Sequence, residues 1–138
     1  MKKLLLIFLL FFPVHGVWAK IINIVCTGPN VGTLSYILDA SKGIVFNEAG
    51  NKHELITTPI SYKWVSYLLK KDGSTTLVVH MLNRNTSILT ADLYELTPEQ
   101  TKKYPPGKRS LEDLKEITRY HSILQEKLNC EISEKKKF

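Results

Sequence analysis

From Lys20 onward, short apolar runs alternate with turn signals. Ile21–Thr27 is β-branched and ends at Gly28-Pro29-Asn30. Thr33–Asp39 alternates Leu34, Tyr36 and Leu38 with Thr33, Ser35 and Ile37. Ile44–Glu48 and Glu54–Thr58 are divided by Ala49-Gly50-Asn51, and Pro59 stops the second. Ile60–Lys70 is the most aromatic run, with Tyr62, Trp64 and Leu68 on one side and Val65, Tyr67 and Leu69 on the other. Lys71-Asp72-Gly73-Ser74 and Asn83-Arg84-Asn85-Thr86 then separate Thr75–Leu82 and Ile88–Leu96 as hairpin turns would. Runs this short cannot be helices. Period-two alternation puts one side chain set on each face of a sheet. The pattern predicts a mainly β domain: an antiparallel meander or small partly closed barrel of six to eight strands.

The pattern changes after Leu96. Thr97–Arg109 holds Pro98, Pro105, Pro106 and Gly107 and reads as a loop. Ser110–Leu128 reads as one amphipathic C-terminal helix, spanning about 111–128, with Ser110 as N-cap and Glu112 and Asp113 in its first turn. Leu114, Ile117, His121, Leu124 and Leu128 fall on one stripe, which needs one face or one mouth of the sheet to cover. Residues 133–138 read as a flexible basic tail. The domain is expected to span 20–132.

The first nineteen residues do not fit this domain. Lys2 and Lys3 precede an unbroken apolar run, Leu4–Phe12; Pro13 and Gly16 follow, and Val17-Trp18-Ala19 offers a cleavage site. That order is a secretory signal peptide, 1–19. The run is too short for a membrane span of about 20 residues. The mature chain is therefore expected in the periplasm or secreted, with no membrane span after cleavage. A 138-residue chain leaves room for one domain and excludes a two-domain enzyme.

Export changes the reading of the two cysteines, Cys26 and Cys130. An even count in an oxidising compartment favours a disulfide. A redox pair would more often sit as Cys-x-x-Cys. The cysteines and the scattered His53, His80 and His121 show no metal-ligand spacing, so no metal or other cofactor is expected.

Candidate chemistry is sparse. His80 shares a face with Val78 and Leu82, but no nucleophile or nucleotide motif accompanies it, so a packed histidine is the expectation. Tyr62 and Trp64, in an aromatic set with Tyr36, Phe46 and Tyr67, are candidate ligand-facing residues if the barrel opens at its mouth. The net charge of +6 comes from dispersed lysines with acids nearby, which disfavours nucleic acid as partner. A protein or envelope component is expected instead.

Several local motifs resemble a diffuse group of small exported bacterial β proteins of unassigned function. They are Cys26, Leu34–Asp39, Ile60-Ser61-Tyr62-Lys63-Trp64, the Leu82–Thr86 turn, Cys130 and Lys136-Lys137-Phe138. The expected helix before Cys130 departs from that group, whose last strand runs straight into the Cys. The resemblance carries no catalytic residue. The expected function is a non-enzymatic binding module of the cell envelope. The alternative is an inhibitor or immunity-type partner of a secreted enzyme, as in the similar periplasmic C-type lysozyme inhibitors, whose Ser-Gly loop is missing here. A small hydrolase is the third reading.

Overall fold

A computed structural model describes residues 20–105, 111–117, 119 and 122–136. The signal-like segment 1–19 and the last two residues lie outside them, as does His121. Nine strands make one antiparallel sheet: β1 (Lys20–Gly28), β2 (Gly32–Asp39), β3 (Ile44–Asn47), β4 (Lys52–Glu54), β5 (Ile56–Thr57), β6 (Ser61–Leu69), β7 (Thr75–Asn83), β8 (Ile88–Leu96) and β9 (Leu124–Lys136). Two short helices, α1 (Pro98–Lys103) and α2 (Leu111–Ile117), lie between β8 and β9.

Sheet order is β4-β3-β2-β1-β9-β8-β7-β6-β5. Every hairpin neighbour in sequence is a neighbour in space, and the terminal strands β1 and β9 pair with each other. The two sheet edges, β4 and β5, are consecutive in the chain, separated by Leu55 alone. The sheet thus curls into a nearly closed barrel. β4 lies beside β6, yet among the described residues no ladder joins them. That seam is the incomplete part of the wall.

Turn chemistry explains the register. Asp72 accepts hydrogen bonds from the Ser74 backbone N–H and hydroxyl, and Gly73 takes φ +86°, which favours glycine. The Asn83 side-chain oxygen accepts from the N–H groups of Asn85 and Thr86, so the β7–β8 connection folds on its own side chain.

Alternation along the strands fills two cores. Inside the barrel, Ile22, Ile24, Leu38, Trp64, Leu82 and Leu128 are buried together. Outside it, Leu77, Val79, Tyr94 and Leu96 project from β7 and β8 and are covered by Tyr104 and Ile117 of the helical segment. Thr101 on α1 reaches Thr75 on β7 at 3.0 Å, a buried contact between hydroxyls. β7 is thus apolar on both faces because both are covered.

Four expectations change here. Among the described residues the strand count is nine, since Leu55 divides one predicted strand and β9 adds another. The single helix over 111–128 is wrong: α2 stops at Ile117, and Leu124 to Lys136 is strand. Leu124 and Leu128 are four apart, a spacing that fits a helix turn and two strand repeats equally. Ladders settle it: Leu124–Asn129 pair with β8 and Asn129–Lys136 with β1, so the backbone finds strand partners along the whole of β9. The same ladder takes Ser133–Lys136 out of the proposed tail. The loop predicted over 97–109 also contains α1. Thr97 and Gln100 form a reciprocal capping box, and Pro98 occupies the first turn, where its missing N–H is no loss.

Candidate functional site

Cys26 and Cys130 stand directly opposite each other on β1 and β9. Their sulfurs are 2.08 Å apart, at bonding distance, and their Cα atoms 4.0 Å apart. The Cys130 N–H points the other way, to the Ser87 carbonyl on the β8 side at 2.9 Å. The pair therefore occupies a non-hydrogen-bonded site of the β1–β9 ladder, where facing side chains come closest. The bond ties the first strand to the last, inside the barrel.

The aromatic cluster sits deeper along the barrel. In register, Trp64 faces His80 across β6 and β7, and Tyr36 lies across the interior on β2. The Trp64 and His80 rings stack, with centroids 5.0 Å apart and planes 10° apart. Tyr36 meets Trp64 edge-on at 5.1 Å and His80 at 5.9 Å. Tyr62 lies further along β6, away from this cluster, with Arg84 over its ring at 4.8 Å.

His80 is only 7% exposed. Its Nε2 lies 3.1 Å from the Ser66 hydroxyl, while Nδ1 has no hydrogen-bond partner among the described residues. Burial, with a smaller contribution from His53, pushes its pKa down to about 4, so the ring is neutral near pH 7. A neutral imidazole carries one N–H and one acceptor nitrogen. Whichever tautomer forms, one polar atom stays unmatched among the described residues. The Trp64 Nε1–H is also buried without a partner among the described residues. Each such group costs about 1–3 kcal/mol, which makes this cluster the least economical part of the interior.

Above His80 the barrel opens into a pocket of about 260 Å³. Leu34, Ser35 and Tyr36 of β2 line one wall, and Asn47, Glu48 and Ala49 at the β3–β4 turn line another. Ser66 and His80 complete it from β6 and β7. The Glu48 carboxylate accepts the Ser35 backbone N–H at 2.8 Å, filling a place where strand pairing has ended. Burial and the nearby Glu48 charge raise the Tyr36 pKa, so the phenol stays neutral. The pocket is thus lined by a carboxylate, hydroxyls, an amide and the Tyr36 and His80 rings.

Of the aromatic residues read from the sequence as ligand-facing, Trp64 lies behind His80 and Tyr62 lies elsewhere; Tyr36 is the aromatic that reaches the pocket. Ser66, Asn47 and Glu48 carried no sequence signal, because they meet only when the sheet curls. Among the described residues, no three His, Cys, Asp or Glu side chains come together as a metal site. No protein-family model, curated protein or solved structure matches the chain.

Proposed function

We propose that the mature chain is an exported, non-enzymatic binding module of the cell envelope whose barrel mouth takes a small ligand. One observation carries this reading. The pocket lies at the barrel's incomplete seam, where a mixed polar and aromatic lining meets the unmatched His80. Small barrels commonly hold ligands at this place, with a few converging polar groups setting orientation. The Ser66–His80 contact supports binding better than hydrolysis. A serine nucleophile needs a base of suitable pKa, oriented by a third group. Here the base titrates near 4 and its second nitrogen meets no carboxylate.

The test is affinity capture of envelope extract on tagged mature protein, with Ala49→Trp as a pocket-filled control. A small molecule retained by the wild type and lost by Ala49→Trp supports the reading. Equal retention by both, or no retained small molecule, refutes it.

A protein partner, including an inhibited enzyme, is the second reading. It is favoured by Tyr67, Leu68 and Leu69, which are 46%, 66% and 56% exposed at the end of β6 nearest the mouth. Consecutive exposed apolar residues are uncommon without an interaction to explain them. In the same capture, a retained protein lost on Leu68→Lys, Leu69→Lys would support this reading.

A further inference from the structure

The pocket's chemistry narrows the ligand class; this inference rests on reading the pocket as the binding site. We infer that the barrel mouth accepts the ammonium group of a small organic cation. The chain as a whole is basic, at +6. Yet among the described residues no Lys or Arg lines the pocket, and the one formal charge in the lining is the Glu48 carboxylate. An anion entering there would leave water and find no cation to replace it.

The other groups suit a cation. Glu48 is held in place by the Ser35 N–H, so its position is set before a ligand arrives. That contact uses one of about four lone-pair sites on a carboxylate. Tyr36 adds an aromatic ring to the lining. Ser66 and the Asn47 side-chain carbonyl can accept N–H donors. The neutral His80 adds no positive charge to repel the guest. The net positive charge of the chain acts against a cation at long range, but charges beyond about 8 Å are largely screened at physiological salt. Contact with Glu48 then decides. The volume, about 260 Å³, falls just below the ~300–1,000 Å³ of drug-sized sites. It fits one ring or short chain bearing a single amine.

Matched probes test this: phenethylamine, phenethyl alcohol and phenylacetate, titrated calorimetrically into the mature protein at low and physiological salt. A charge-assisted hydrogen bond of about 1.5–3 kcal/mol predicts the amine to bind at least about tenfold more tightly than the alcohol. Phenylacetate should bind most weakly. Glu48→Gln keeps an oxygen for the Ser35 N–H and should abolish the amine's advantage over the alcohol. Equal binding of amine and alcohol, tightest binding of phenylacetate, or an amine preference that survives Glu48→Gln would overturn the cation inference. If that equal binding is lost in Ala49→Trp, the pocket stands and only its ligand class is wrong. Absence of binding by all three probes overturns the inference as well, and envelope capture then judges the pocket separately.

Discussion

Lowering the pH from about 7 to about 4 should destabilise this barrel chiefly through one ring. His80 is buried against Trp64 and is neutral in the folded protein until about pH 4. In the unfolded chain it titrates near 6.5. Between those values the unfolded state binds the extra proton, so stability rises with pH across the window. It is complete above about 6.5 and lost progressively as the pH falls toward 4. Keeping the ring neutral over that range corresponds to about 3 kcal/mol, at no more than about 1.4 kcal/mol per pH unit. The lowered carboxylates Asp72, Glu95 and Glu116 lose their contribution only in and below the ordinary carboxylate range, largely beneath this window. Half-buried His53, also lowered by burial, adds a smaller effect of the same sign. The assay is urea unfolding at several pH values. With a slope of about 1–3 kcal/mol per molar urea, the wild-type midpoint should fall by about 1–3 M across the window. His80→Gln removes the titrating group, so most of the pH dependence should vanish even though the variant begins less stable. An undiminished pH slope in His80→Gln would refute the assignment.

Two further perturbations test the frame around that ring. Replacing both Cys26 and Cys130 with Ala frees a loop of sequence separation 104 and should cost about 2–4 kcal/mol, read from urea midpoints under oxidising conditions; an unchanged midpoint would show that the bond contributes nothing. Ile117→Ala empties a fully buried position in the outer core and should cost about 2–5 kcal/mol. Because Ile117 packs outside the barrel, the Trp64 near-ultraviolet signal should be preserved, and its loss would show that the two cores are not separate.

The strands were legible because one face of each meets the barrel core, so alternation survives in the sequence. Trp64 and His80 could each be placed on an inward face in this way, as could Tyr62. The segment after Ile117 was not legible. Leu124 and Leu128 satisfy both periods, and Glu126, on their face of β9, interrupts the apolar alternation that would have signalled a strand. Its carboxylate accepts from Asn30 in the β1–β2 turn at 3.1 Å, a contact no local pattern reveals. α1 was hidden by reading Pro98 as a breaker, although Thr97 and Gln100 hold the capping signature around it. The pocket was beyond local reading altogether. Ser35, Glu48 and Ser66 belong to three different strands or turns, and closure of the sheet alone brings them together.

The central claim is that ligand enters above His80, at the barrel seam. The most direct measurement is amide chemical-shift mapping of ¹⁵N-labelled mature protein titrated with the small-molecule fraction of envelope extract. The account predicts saturable shifts concentrated at Leu34–Tyr36, Asn47–Ala49, Ser66 and His80, and absent in Ala49→Trp. Shifts centred instead on the helix-covered face around Tyr104 and Ile117, or no saturable shifts anywhere, would contradict it.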